Sequence, residues 1–263
     1  MRALRELMDL TGRKALLTGG AGHLGRACAE ALLELGASVA ILDRDPDACR
    51  ARAAEFGPQA VPLPCDLADE AATRAAVPTA LRLLGGLDIL VHCAAYVGTT
   101  QTHGWAVPFE QQEVAAWDAA LRVNLTAAFV LAQEARTPLA ASGRGSIILF
   151  SSIYGVAGPD LGLYEGTSMA NPAGYGASKA GLLQLARHLA TTLAPRIRVN
   201  AISPGGVWRG QPQAFHARYE ARTPLKRMAV EEDVKGAVAY LASDLSAYVT
   251  GHNLLVDGGW TAW

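Results

Sequence analysis

A chain of 263 residues, 51% hydrophobic and 18% charged, is long enough to bury a full core as one α/β domain and too apolar to be disordered. Its 23 basic and 24 acidic residues leave a formal charge of −1 with no basic block, which argues against nucleic acid or an anionic membrane surface as a partner. Cys28, Cys49, Cys65 and Cys93 form no CxxC pair and no metal-ligand spacing, so no metal site is expected and the thiols read as reduced.

The N-terminus, MRALRELMDLTGRK, is interrupted by Arg2, Arg5, Glu6 and Asp9 and lacks the apolar core of a signal peptide. No run is expected to reach the roughly eighteen apolar residues of a membrane span. The expectation is a soluble, cytoplasmic protein with no membrane partner.

Lys14 to Thr18 is a short apolar run, the mark of a buried strand. It ends in Gly19-Gly20-Ala21-Gly22-His23-Leu24-Gly25, and a helical pattern through Ala27, Leu32, Leu33 and Leu35 then stops at Gly36. Ser38 to Leu42 reads as a second strand and ends at Asp43. Strand, glycine turn, helix, strand and acidic residue together form the context that a dinucleotide-binding fingerprint requires. Glycines let the backbone approach a pyrophosphate, and the helix N-terminus offers it free N–H groups and a positive dipole end.

The alternation continues. Ala60 to Leu63 is a strand leading to Asp66 and Leu67, Asp69 to Leu84 a helix, and Leu87 to His92 a buried strand. Tyr96 to Glu113 has no apolar period and reads as a surface excursion, a place where function concentrates. A long helix over Val114 to Ala141 carries Asn124, and the strand Ser146 to Phe150 delivers Ser151 and Ser152 at its end. Ile153 to Gly174 is irregular, followed by the helix that Tyr175 starts. Arg198 to Ile202 is a strand running into Ser203, Pro204, Gly205 and Gly206. Val207 to Met228 reads as a mobile flap, Glu231 to Ser243 as a helix and Asn253 to Val256 as the last strand. Strands and helices alternating at this pitch predict one doubly wound, Rossmann-type domain over residues 1–263, a parallel sheet with helices on both faces.

Tyr175 and Lys179 lie four apart and so share one helix face. A cation beside a phenol favours the phenolate and brings its proton transfer toward the working range. Ligands of such sheets bind outside the carboxyl ends of the strands, where the glycine turn, Asp43, Asp66, Ser152 and Pro204-Gly205 all fall.

The ordered set Thr18-Gly19…Gly25, Asp66, Asn124, Ser151-Ser152, Tyr175…Lys179, Ser203-Pro204-Gly205 and Thr250-Gly251…Val256-Asp257-Gly258-Gly259 resembles the short-chain dehydrogenase/reductase family across nearly the whole chain. The resemblance implies that Tyr175 exchanges a proton with the substrate oxygen and that Lys179 lowers its pKa and binds the nicotinamide ribose. It implies that Ser152 orients the substrate oxygen, preferred to Ser151 because it precedes Ile153-Tyr154-Gly155. Asn124 would hold a water linking Lys179 to solvent. For the cofactor it implies Gly19, Gly22, His23, Leu24 and Gly25 at the pyrophosphate, Asp43 and Arg44 at the ribose, Asp66 and Leu67 at the adenine, and Cys93, Ala94, Ala95, Pro204, Gly205, Gly206 and Val207 along the rest. A carboxylate at Asp43 accepts ribose hydroxyls and repels a 2′-phosphate, favouring NAD(H); Arg44 leaves NADP(H) open.

Three departures stand out. His23 replaces a glycine usual in the turn. His92-Cys93-Ala94-Ala95 stands in place of Asn-Asn-Ala-Gly, so hydrogen bonds from the asparagines must be missing or rebuilt. The enlarged loop Tyr154–Gly174, with Tyr96–Glu113, resembles a subgroup associated with bacterial surface-sugar and nonulosonic-acid pathways. Glu165, Thr167, Ser168, Asn171, Gln101 and His103 would suit a sugar or polyol, and Trp105 and Trp208 could stack on a sugar face; the alternative is that these residues only pack the loops together. The same chemistry on a 3-oxoacyl thioester, hydroxy acid or steroid-like alcohol remains open, as does a non-catalytic nucleotide-binding role. The family implies a homotetramer or homodimer, with Ala177, Ala180 and Gly181 allowing close helix packing and the Gly258-to-Trp263 tail covering a neighbour.

Overall fold

The computed structural model describes residues 1–98 and 100–263; Thr99, within the Tyr96–Glu113 excursion, lies outside the described residues. In chain order the main elements are α1 (Leu4–Met8), β1 (Lys14–Thr18), α2 (His23–Glu34), β2 (Ser38–Asp43), α3 (Pro46–Phe56), β3 (Ala60–Pro64), α4 (Glu70–Leu84) and β4 (Ile89–His92). They continue as α5 (Val114–Leu121), α6 (Ala127–Ala141), β5 (Gly145–Phe150), α7 (Ala173–Leu193), β6 (Ile197–Pro204), α8 (Gln213–Arg222), α9 (Lys235–Ala242) and β7 (Asn253–Val256).

The seven strands form one sheet in the order β3-β2-β1-β4-β5-β6-β7, parallel throughout. Chain direction across the sheet reverses between β1 and β4, and the crevice of a doubly wound fold opens at that point. Successive strand residues point to opposite faces. Leu16, Ala40 and Leu42 therefore join the core beneath α4, α6 and α7. Ala15, Leu17, Val39 and Ile41 join the core beneath α2 and α9. Both faces are covered, which is why β1 and β2 read as continuous apolar runs rather than alternating ones.

Several predicted elements shift. No helix was read between Asp43 and Ala60, yet α3 fills it. Asp45 caps that helix, its carboxylate accepting from Asp47 N and Ala48 N, and Pro46 opens it. Only Cys49 and Ala53 of α3 are buried, too narrow a stripe to show as a period. The predicted flap Val207–Met228 contains α8, whose Phe215 and Tyr219 are buried. Glu231–Val234 is a 3-10 turn that precedes α9.

The long helix predicted over Val114–Ala141 is divided by a π turn at Arg122–Thr126, with Asn124 buried inside it. This stretch corrects the expectation about membrane spans, because it has the length and a mean hydropathy of 1.4 that such a span needs. Its apolar residues have another use here: Ala127, Ala128, Leu131, Ala135 and Leu139 are core residues of the sheet's helical layer.

Candidate active site

The glycine turn after β1 is shaped by contact. Gly19 has a left-handed backbone, φ +67°, and a Cβ there would lie 2.7 Å from both Cα and N of Ala94. A Cβ on Gly25 would lie 2.0 Å from the Gly19 carbonyl oxygen. The turn thus folds flat between α2 and the loop after β4. Gly22 ends it as the N-cap of α2 and supplies no side-chain cap, so the first N–H groups of α2 stay open to an anion. A pyrophosphate fits this cradle, and Gly19, Gly22, Leu24 and Gly25 would hold it.

His23 takes the first position of α2 with its side chain largely exposed, 3.8 Å from a Glu231 carboxylate oxygen. A cleft of about 740 Å³ opens beside the turn, lined by Ala21, His23, Arg52, Glu231 and Lys235 among others. Arg52 was not singled out from the sequence because it sits on the unread helix α3. Its guanidinium reaches the Ala21 carbonyl at 3.4 Å and pairs with Glu55 at 2.5 Å.

Asp43 ends β2 with its carboxylate beside the turn, accepting from Ala21 N at 3.2 Å and from Arg44 N at 2.8 Å. Arg44 is exposed. Asp66 is exposed and accepts from Ala68 N at 2.9 Å. Leu67 turns its side chain into the core, so only its backbone is left for an adenine. Ala94 N donates to Thr18 Oγ1 at 3.2 Å, which ties the His92-Cys93-Ala94-Ala95 segment to the end of β1. On the other side, Gly205 N donates to Val256 O at 2.9 Å, and Val207 bridges to Ala229. Gly206 N donates to the Tyr219 hydroxyl at 2.5 Å. Pro204 to Val207 thereby form a fixed rim rather than the start of a loose flap.

Tyr175 lies in the first turn of α7, and Lys179 one turn on is 2% exposed. The Lys179 ammonium donates to the Phe150 carbonyl at 2.7 Å and sits 5.7 Å from the centre of the Tyr175 ring. Burial pulls Lys179 down from 10.5 to about 8. Burial also pushes the Tyr175 phenol up, opposed in part by a hydrogen bond with Ser152. The predicted lowering of the phenol by Lys179 is therefore not the balance found. Desolvating a phenolate costs more than the surrounding groups return, and Lys179 is weakened as a cation by the same burial.

The two serines part company. Ser151 Oγ donates to the Lys179 carbonyl at 2.8 Å and is buried. Ser152 Oγ accepts from Tyr154 N at 3.1 Å, capping a 3-10 turn at Ile153–Gly155, and is the hydroxyl that acts on Tyr175. Asn124 is fully committed through its side chain. Oδ1 accepts from Tyr96 N at 2.5 Å, and Nδ2 donates to Tyr96 O at 3.2 Å and Ser178 Oγ at 2.9 Å. Only its backbone carbonyl is left for the expected water, and His92 Nε2 already lies 3.2 Å from that oxygen.

The enlarged loops divide. Trp105 does not face a ligand: it is 2% exposed, packs edge-on against Tyr96 and donates Nε1 to Val97 O at 2.8 Å. Trp208 lies against His216 at 4.1 Å between ring centres. His103 pairs with Glu113 at 3.0 Å, and Thr167 Oγ1 donates to Tyr164 O at 2.7 Å. Glu165 and Ser168 are exposed. Asn171 Nδ2 donates to the Tyr164 hydroxyl at 3.3 Å, and that hydroxyl lies 2.8 Å from the Tyr154 hydroxyl. Tyr164 was given no role from the sequence; a charge on its phenol would raise Tyr175 further. Gly181 packs inside the chain, where a Cβ would meet Leu125 at 2.6 Å. Trp260 is likewise buried within its own chain, beside Tyr154 and Tyr219 and under the Arg222 guanidinium at 4.4 Å.

Residues 19–261 match the family described as enoyl-(acyl carrier protein) reductase. The chain is 35% identical over 257 residues to a cis-4-hydroxycyclohexanecarboxylate dehydrogenase of Sinomonas cyclohexanicum, covering 95% of this chain and 97% of that one. A short-chain type dehydrogenase/reductase from Mycobacterium marinum superposes with a TM-score of 0.86 at 31% identity, covering 100% of both chains. A gluconate 5-dehydrogenase from Burkholderia cenocepacia, solved with NADP and tartrate, superposes with a TM-score of 0.87 at 29% identity, covering 99% of this chain and 100% of that one.

Proposed function

The chain belongs to the short-chain dehydrogenase/reductase family, and from that premise we propose that it interconverts a secondary alcohol and a ketone on a sugar, sugar derivative or polyol, with NAD(H). The observation that carries this reading is the convergence of buried Ser152 and Lys179 with half-buried Tyr175 at the carboxyl edge of the sheet. The nicotinamide, when bound, supplies the hydride acceptor or donor.

The protein's own groups do the rest. The open N–H groups of α2 bind the pyrophosphate, and the Asp43 carboxylate takes ribose hydroxyls. Ser152 hydrogen-bonds the substrate oxygen and fixes its orientation. Tyr175 removes the hydroxyl proton in oxidation and returns it to the carbonyl oxygen in reduction. Lys179, anchored on the Phe150 carbonyl, holds a positive charge near the phenol, where it favours the phenolate. Ser152 and Lys179 are buried, so the proton moves between positioned groups rather than to bulk hydroxide.

The substrate class draws support from two sides. The Tyr154, Tyr164 and Asn171 side chains give the loop beside Tyr175 hydroxyl and amide groups suited to a hydroxyl-rich ligand. Relatives named for a ring alcohol and for gluconate point the same way. Asp43 supports NAD(H). Against it, Arg44 is exposed and pairs with no carboxylate among the described residues, and one neighbour holds NADP. A panel of sugars, sugar acids and cyclic alcohols, run with NAD+ and with NADP+ and followed by absorbance of the reduced nicotinamide, tests the reading. Turnover confined to acyl thioesters or steroid-like alcohols, or faster with NADP+, would replace it.

We further propose a homodimer or homotetramer in the cytoplasm. Phe129 on α6 is 44% exposed and Val114 on α5 74%, and Ala177 and Ala180 line the exposed side of α7, an apolar face that a second copy would cover. All four thiols are free, in keeping with a reducing compartment. Light scattering at the monomer mass would refute the assembly.

A further inference from the structure

The sequence replaces the usual asparagine at the end of β4 with His92, and the structure shows what that imidazole touches. His92 is 0% exposed. Its Nδ1 lies 3.0 Å from Thr18 Oγ1 and its Nε2 lies 3.2 Å from the Asn124 carbonyl oxygen. A carbonyl only accepts, so Nε2 carries the proton, and Nδ1 accepts from the Thr18 hydroxyl. Thr18 Oγ1 in turn accepts from Ala94 N. Each hydrogen bond in this buried chain therefore has a defined donor and acceptor.

We propose that His92 is a positioning residue, a neutral imidazole strut that fixes the Asn124 carbonyl and couples the cofactor-side strand β1 to the catalytic helix α7. The coupling runs through contacts that are all in place. Asn124 Nδ2 donates to Ser178 Oγ at 2.9 Å, and Ser178 Oγ donates to the Tyr175 carbonyl at 2.8 Å. The π turn at Arg122–Thr126 sets where the Asn124 carbonyl points, and His92 is the side chain that meets it. Neutrality is part of the function. A proton on Nδ1 would take away the acceptor of the Thr18 hydroxyl hydrogen, and an imidazolium would face the Lys179 ammonium. Burial and the Lys179 charge hold the ring down to about 3; the ionisable group facing it is Lys179 from α7, while the Cys93 thiol, next in the chain, packs on the other core with Cys28.

The effect on turnover rests on the oxidoreductase reading above; the tautomer and the coupling do not. Nitrogen NMR of histidine-labelled protein is expected to show one of the six imidazoles as an Nε2–H tautomer that does not titrate from about pH 5 to about pH 8, absent from His92→Gln. An Nδ1–H tautomer, or a His92 that titrates in that range, overturns the proposal. Glutamine can present a nitrogen donor where Nε2 lies, whereas asparagine is too short. His92→Gln should therefore keep kcat within a few fold, and His92→Asn should lower it by roughly tenfold to a hundredfold with the Kd for NADH unchanged. Amide exchange over Arg122–Thr126 should speed up in His92→Asn and not in His92→Gln. Equal behaviour of the two variants in exchange sinks the proposal even if no substrate has been found. A panel that fails while exchange separates them sinks the oxidoreductase reading alone.

Discussion

The Lys179 ammonium and the Tyr175 ring are 5.7 Å apart, but the hydrogen bond that Lys179 makes is to the Phe150 carbonyl, at 2.7 Å. The lysine is held by the strand that delivers Ser152, not by the phenol beside it. This anchoring places a charge beside Tyr175 without a hydrogen bond to the phenolic oxygen, whose partner is the Ser152 hydroxyl.

Removing the phenolic oxygen should abolish chemistry and leave binding intact. Tyr175→Phe is expected to lower kcat by about 10²- to 10⁴-fold, the range for a positioned proton-transfer group. Its Kd for NADH, read by fluorescence titration, should stay within about twofold of wild type, since the lost atom makes no packing contact a phenylalanine lacks.

Lys179 makes stability depend on pH in a stated direction. Its folded value, about 8, lies below the 10.5 of the unfolded chain. The unfolded chain therefore binds more protons between these values, and stability rises as pH increases through that window. Below it the buried ammonium exacts its full cost, up to about 3 kcal/mol. Lys179→Met should be inactive yet more stable than wild type at neutral pH, the gap closing above about pH 8. Urea melts of both proteins across pH give this as a difference, which cancels the buried thiols Cys49 and Cys65, raised to about 11 and acting in the opposite direction. A less stable Lys179→Met at neutral pH would contradict it.

Gly25 tests the phosphate cradle. Replacing a helical glycine by alanine ordinarily stabilises by up to about 1 kcal/mol. Here the new Cβ would stand 2.0 Å from the Gly19 carbonyl oxygen, so the turn must open. Gly25→Ala is expected to lower Tm and to raise the Kd for NADH by at least about tenfold, the effect of losing roughly 1.4 kcal/mol. A higher Tm would show that the turn is not closed against α2.

Asp43 sets cofactor choice if its carboxylate meets the ribose. Asp43→Ser removes the charge that repels a 2′-phosphate and leaves Arg44 free to approach it. The ratio of kcat/KM for NAD(H) over NADP(H) should fall by about tenfold or more. An unchanged ratio would assign the preference to Arg52 and its neighbours around the turn.

Much of the fold was legible because its signals are local. The strands β1, β2 and β5 are continuous apolar runs ended by glycine or polar residues, and a sheet covered on both faces demands that composition. The glycine turn was legible for the same reason, since a left-handed Gly19 and a crowded Gly25 permit no other residue. Helix α3 was not, because it buries only Cys49 and Ala53 and leaves no stripe to read. Trp105 was left between stacking on a ligand and packing its loop for a related reason: an aromatic in an irregular loop carries no mark of which way it faces.

The sequence by itself determined the alternating architecture, the glycine turn and the placement of Ser152 at a strand end and of Tyr175 and Lys179 on one helix face, because spacing along a strand or helix fixes which residues share a face or an end; their roles came from the resemblance. Only the tertiary structure decided the protonation balance of that group. Desolvation depends on everything packed around a site, and it raises Tyr175 and lowers Lys179 together. It likewise decided that His92 meets Thr18 on one side and Asn124 on the other. Those partners lie 74 and 32 residues away, and no pattern in the chain records a contact that exists only once three separate elements have folded against one another.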